Sequence, residues 1–132
     1  MAAIETAGHA ARYTLGGIRI LIGALGLLAP AVIIRRFGDK NPDRNAAALY
    51  GLRLFGVRTM VLGADLFLLR RRELDGAVRS AVLIHGSDTA TVLSLRRNGQ
   101  LSPERANPLI LISGLNTLLA ITAYLSRRRS RS

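Results

Sequence analysis

Arginine in this chain comes in clusters, and each cluster closes an apolar run. Arg35–Arg36, Arg70–Arg71–Arg72, Arg96–Arg97 and Arg127–Arg128–Arg129 each end a stretch rich in Leu, Ile, Val, Ala and Gly. A soluble domain spreads charge along its elements. A polypeptide that crosses a bilayer several times must instead gather charge where water and headgroups are. The runs cover about residues 15–34, 46–69, 76–95 and 109–125. Each is close to the ~20 residues that cross a hydrocarbon core of roughly 30 Å. Backbone groups in lipid must be satisfied within the segment, which demands helix. No run alternates apolar and polar residues with the period of a strand. The expectation is an all-α, integral membrane four-helix antiparallel bundle forming one domain over residues 1–132, with a basic tail at 126–132.

The breaks between runs are polar turns. FGDKNPDRN carries Gly38 and Asn41-Pro42, both helix stoppers. RRRELDG precedes the third run, and RRNGQLSPERANP precedes the fourth, with Ser102-Pro103-Glu104 as a start signal. Loops this short predict that successive helices are antiparallel neighbours. The third run is the weakest span, because Arg79, His85, Ser87 and Asp88 interrupt it; a re-entrant or surface helix is the alternative. Ala29-Pro30-Ala31 mimics a signal-peptide cleavage site, but Val32-Ile33-Ile34 continue the run past it, so the first run is read as retained, with Pro30 kinking it near its end.

The net charge of +11 fits nucleic acid or anionic lipid. Because the arginines flank apolar runs, lipid headgroups and orientation take precedence over nucleic acid, with Arg70, Arg71, Arg72, Arg127, Arg128 and Arg129 as the expected headgroup contacts. With four spans the termini share a side with the second loop. That side carries eight cationic residues outside the spans against seven on the other, and Arg19 and Arg79 add two more to it. Both termini are therefore placed in the cytoplasm of a bacterium, with the chain multi-pass in the inner (plasma) membrane. Arginine outnumbers lysine eighteen to one beside heavy Ala, Gly and Leu usage, which fits a GC-rich, actinobacterial genome.

A charge held near mid-bilayer costs at least ~2.5–3.5 kcal/mol, so charges inside the runs should face the bundle and find partners. Arg58 lies at the centre of the second run. Asp88 falls ~4 Å from the centre of the third, with His85 three residues before it on the same face. The expected buried cluster is Arg58 paired with Asp88 beside His85, with Asp65, roughly 10 Å along the axis, paired with Arg19. Arg53 and Arg79 are expected to snorkel. Small residues at four-residue spacing predict close helix packing at Gly51, Gly63 and Gly86, and at Gly56 beside them; Gly23 and Gly26 thin one face of the first helix, and Asn116 is placed to bridge helices from the fourth.

Catalytic signatures are not found. Cysteine is absent, which excludes disulfides and thiolate chemistry. There is no HExxH, no glycine-rich phosphate loop and no GxSxG. His9 and His85 stand far apart, which argues against a histidine metal site. Ser87 projects ~200° away from His85 on a helix, so the two cannot form a nucleophile–base pair. The expectation is a non-enzyme with neither cofactor nor metal.

The segment RLFGVRTMVLGADL carries R-x-F-G-x-R on the second helix, as Arg53, Phe55, Gly56 and Arg58, with Asp88 as an acidic residue in the third. In these residues the chain resembles an uncharacterised family of small four-helix bacterial integral membrane proteins, DoxX-like, over about residues 12–126. The resemblance implies the fold and no established activity; the cysteines of some redox-linked relatives are missing here. Size and short loops then favour a non-catalytic accessory subunit of a larger membrane complex, with other membrane subunits and anionic lipids as partners. An actinobacterial Mce-type lipid transporter is one such host. The alternatives are a small oligomeric transporter or ligand-binding bundle using Arg58, His85 and Asp88, and, third, a membrane enzyme acting on lipid.

Overall fold

In the computed structural model, residues 2–129 are described, apart from the side chains of Ala2 and Arg71. Those residues are all-helical: α1 spans Ala2–Leu28, α2 Pro30–Arg36, α3 Ala46–Leu68, α4 Arg71–Arg97 and α5 Pro103–Arg129, with a 3₁₀ turn at Pro42–Arg44 before α3. Two helices, over Ala3–Leu28 and Pro103–Arg129, are long and apolar enough to cross a membrane.

The helices overrun the apolar runs. α1 starts well before Leu15, α4 extends past the third run at both ends, and α5 past the fourth. Hydropathy marks which solvent a segment touches, not where its backbone hydrogen bonds stop. The break in the first run is sharper than a kink. Ala29 leaves the helical region with φ −136° and ψ 52°, and Pro30, lacking an N–H, starts α2 as its first residue.

Two of the other three interruptions, after α2 and after α4, are built by glycine. Gly38 (φ 100°) and Gly99 (φ 70°) adopt the left-handed conformation that ends a helix. Gly38 N donates to Arg35 O and Asp39 N to Ile34 O; Gly99 N donates to Arg96 O and Gln100 N to Leu95 O. This double bond pattern satisfies carbonyls the helix would leave open. Beyond the first turn, Asp39 organises the entry to α3. Its carboxylate accepts from the Asn41 backbone N–H at 2.8 Å and the Asn45 side-chain amide at 3.0 Å. Asn45 in turn caps α3 by accepting from Ala48 N. These bonds, that from Asn45 first and that from Asn41 second, hold the Asp39 carboxyl below its ordinary value.

Neighbours in sequence are only partly neighbours in space. α1 packs along α3 and against α5, and α5 packs along α4, whereas α3 and α4 touch little. The expectation that short loops make every successive pair adjacent therefore fails at α3–α4: α1 and α5 form the middle of the arrangement. Glycine explains the closeness of the α1–α3 pair. A Cβ on Gly56 would lie 2.5 Å from Gly23 O, and one on Gly63 would lie 2.9 Å from Gly16 O. Gly16 thus faces Gly63 and Gly23 faces Gly56, both seven residues apart along antiparallel helices. At the α1–α5 seam Gly8 leaves room for Ser126, whose hydroxyl donates to Ile4 O at 2.9 Å. The buried core sits between these seams, on Ala11 and Leu15, Leu66, Leu74 and Val78, and Ala120.

Candidate functional site

The deepest polar group is Arg19, from the middle of α1. It is 2% exposed and reaches two helices at once. Its Nε donates to His85 Nε2 on α4 at 2.9 Å, and Nη1 donates to Leu62 O on α3 at 3.4 Å. Because Nε2 accepts, the His85 proton belongs on Nδ1, which lies 3.5 Å from Asp88 Oδ2 one turn along α4. Asp88 is half exposed, so the chain Asp88–His85–Arg19 runs from an accessible carboxylate to a buried guanidinium. Asp65 and Asp88 both attract Arg19 electrostatically.

Three of the five predicted cluster members, Arg58, Arg19 and Asp65, change role. His85 and Asp88 do come together, as their three-residue spacing requires. The cation that joins them is Arg19 and not Arg58. Arg58 is exposed on the outer side of α3, and α3 does not pack on α4 closely enough for the expected Arg58–Asp88 pair. Asp65 is half-buried near Arg19 but makes no ion pair within 4 Å among the described residues; Arg19 spends its hydrogen bonds on His85 and Leu62 instead. Depth along a helix fixed which residues share a level; it did not fix which way α3 turns its faces.

Around the cluster, the register of α1 and α5 brings Asn116 to the level of Arg19. Arg19 is eleven residues on from Gly8, and Asn116 ten back from Ser126, its antiparallel contact. Asn116 is buried, and its Oδ1 has no hydrogen-bond partner; neither has Arg19 Nη2. The expected helix bridge through Asn116 is made one residue away, where the Thr89 and Thr117 hydroxyls meet at 3.2 Å between α4 and α5.

The chemistry open to this arrangement is narrow. Guanidinium stays protonated, so Arg19 caps the His85 lone pair and prevents Nε2 from acting as a base. Ser87 is exposed, with its hydroxyl on Ile84 O, and offers His85 no nucleophile. Among the described residues no three His, Asp or Glu side chains gather as metal ligands. What the cluster does is tie α1, α3 and α4 at one level.

The other predicted residues divide cleanly. Gly56 and Gly63 pack against α1 at backbone contact, while Gly51 and Gly86 have nothing within 4 Å of where a Cβ would stand, so neither is a packing position. Their spacing motifs occur on faces that no helix covers. Arg70, Arg72, Arg128 and Arg129 are exposed at the end of the protein shared by the start of α4 and the end of α5. Arg127, expected at headgroups, is instead turned inward: its Nε donates to Asp75 Oδ1 at 2.6 Å across α4 and α5. The Arg71 side chain and the tail residues Ser130, Arg131 and Ser132 lie outside the described residues.

Arg12 is the residue the sequence reading missed. It lies before the first apolar run at 15–34, yet it is 8% exposed, its Nε has no partner, and its guanidinium lies 4.3 Å from the Tyr13 ring centroid. The signal was available: Arg12, Arg19 and Gly26 recur every seven residues, beside the buried Gly16 and Gly23, and so mark one inward face of α1. Searches for a matching family model, curated protein or solved structure found none for this chain.

Proposed function

We propose that this chain is an integral membrane four-helix bundle, crossing a bacterial inner membrane with both termini cytoplasmic, and that it serves as a non-catalytic accessory subunit of a larger membrane complex. The membrane reading is supported by its surface. The accessible area is 8777 Å², against about 6,800 Å² for a soluble monomer of its mass. Leu21, Leu28, Leu68, Leu83 and Leu111 are each at least 70% exposed. Only 22% of the apolar window of α5 is buried within the protein, far too little for the core helix of a soluble domain.

One observation carries the subunit reading. Arg58 sits near the middle of α3, about 15–18 Å from either helix end, on an exposed stripe with Tyr50, Leu54 and Val61. In a spanning α3 its stem is too short to bring the guanidinium to either headgroup zone. Leaving it in hydrocarbon costs at least ~2.5–3.5 kcal/mol. A neighbouring subunit that offers a carboxylate or backbone carbonyls at that depth removes the penalty, and the surrounding apolar side chains give the contact area. A lipid-transport assembly of the Mce type is one host of suitable character.

The test is affinity purification from native membranes in mild detergent, with mass spectrometry of what accompanies the chain. A larger membrane protein should co-purify with the wild type and be lost with Arg58→Leu, while the isolated variant melts no lower than wild type. Recovery of the wild-type chain alone would overturn the proposal. A second reading, a ligand-binding or transporting bundle, is favoured by Arg19 Nη2 and Asn116 Oδ1, buried atoms without a hydrogen-bond partner. It requires that Asp88→Asn abolish flux in reconstituted vesicles without unfolding the protein.

A further inference from the structure

At the end of the bundle where α4 begins and α5 finishes, an open pocket of about 460 Å³ lies between the two helices. Arg72, Gly76 and Arg79 line it from α4, and Tyr124 and Arg128 line it from α5. The spacing makes each wall one helix face: Arg72 and Arg79 are seven residues apart, with Gly76 between them, and Tyr124 and Arg128 are four apart. Its one acid, Asp75, is already held by Arg127. Arg72, Arg79 and Arg128 form no ion pair among the described residues. Arg128 instead lies over the Tyr124 ring, 5.9 Å from its centroid. Three guanidinium-bearing side chains therefore line one space whose single carboxylate is already engaged by Arg127. Gly76 keeps that space open, since a Cβ there would meet nothing within 4 Å.

We propose that this pocket binds a phosphate-bearing anion, supplied by the headgroup of a net-anionic phospholipid. Guanidinium forks match the paired oxygens of a phosphate, and several of them around one group give more than additive surface charge does. Arg72 and Arg79 differ in depth by roughly 10 Å, enough to engage both the phosphate and the more deeply placed glycerol oxygens. The Tyr124 ring gives the remaining wall an apolar surface on which an acyl chain can lie. The lipid source rests on the membrane reading proposed above; the phosphate chemistry does not, and the two are separable.

The full chain, purified in mild detergent, is titrated with phosphatidylglycerol, phosphatidylcholine and inorganic phosphate, with binding read by native mass spectrometry. Phosphatidylglycerol should bind more tightly than the zwitterionic lipid, and Arg72→Gln and Arg79→Gln should each weaken it by roughly fivefold. Gly76→Leu should abolish binding by filling the pocket, in a substitution that raises helix propensity and so spares the fold. Arg36→Gln, exposed at the opposite end, should change nothing. If inorganic phosphate binds alone, does so equally tightly, and is lost in the same variants, the phosphate site stands and its lipid source falls. Equal binding of both lipids, or loss of binding in none of the pocket variants, would overturn the proposal.

Discussion

Arg19 Nε donates to His85 Nε2 across 2.9 Å, joining α1 to α4 over a separation of 66 positions. Both partners are buried, which sets this bond apart from the half-buried Arg127–Asp75 pair. Arg19→Met leaves the His85 lone pair buried and unmatched; His85→Leu leaves the guanidinium with only Leu62 O. Each change should cost about 1–3 kcal/mol. The double variant should cost less than the sum by about 0.5–3 kcal/mol. Thermal unfolding in detergent, followed by circular dichroism, measures the cycle. Additive costs would show that the two groups do not interact.

Gly56 and Gly51 lie five residues apart on α3 and should respond oppositely to the same substitution. Gly56→Ala drives a methyl into Gly23 O and should destabilise by about 1–3 kcal/mol through forced separation of α1 and α3. Gly51→Ala meets open space and should stabilise by about 0.5–1 kcal/mol through helix propensity alone. Melting temperatures of the two single variants decide the matter.

The absence of cysteine gives a clean background for cross-linking. Thr89→Cys with Thr117→Cys replaces two hydroxyls that touch at 3.2 Å, and mild oxidation should join them within the monomer. Arg58→Cys with Asp88→Cys should give no intramolecular bridge, since these positions are carried by helices that barely meet. Mobility on non-reducing gels reads both results.

Asp39 sets an acid limit on the turn before α3. Its folded-state carboxyl is held below the ordinary 3.8 by the Asn45 and Asn41 bonds. A depressed value means that the carboxylate contributes stability above its unfolded pKa. That contribution is lost as pH falls through the lower, folded value. The protein should therefore keep this stabilisation at neutral pH and lose it below about pH 4. In Asn45→Ala, with its principal cause removed, the acid-dependent part of the melting curve should shrink.

The arginine clusters made the helical segments legible, because charge in such a chain collects where helices leave the apolar medium. Residues 46–69 were expected and Ala46–Leu68 is found. The His85–Asp88 contact was legible for a similarly local reason: a three-residue spacing fixes it within one helix. What escaped was azimuth. Depth matched Arg58 to Asp88 and Arg19 to Asp65, but depth carries no information about which face each helix turns inward. The choice belongs to Gly16, Gly23, Gly56 and Gly63, which let α1 and α3 nest along one particular face and so turn Arg58 outward and Arg19 inward. Gly51 and Gly86 share the same composition and spacing but have no facing glycine, so a motif read on one helix could not separate them from the true contacts.

The Ser126–Ile4 bond has a bearing on biogenesis. Pairing of α1 with α3, and of α4 with α5, engages segments made close together in time, so each hairpin can assemble as it emerges from the ribosome. The seam between the hairpins is different, since its hydrogen bond unites Ile4 with Ser126, 122 positions apart. That bond cannot form until translation has passed Ser126. A stop that removes the last turn of α5 would consequently leave the two helical pairs held by the Arg19–His85 bond and the core between them, but unfastened at the Ile4 end.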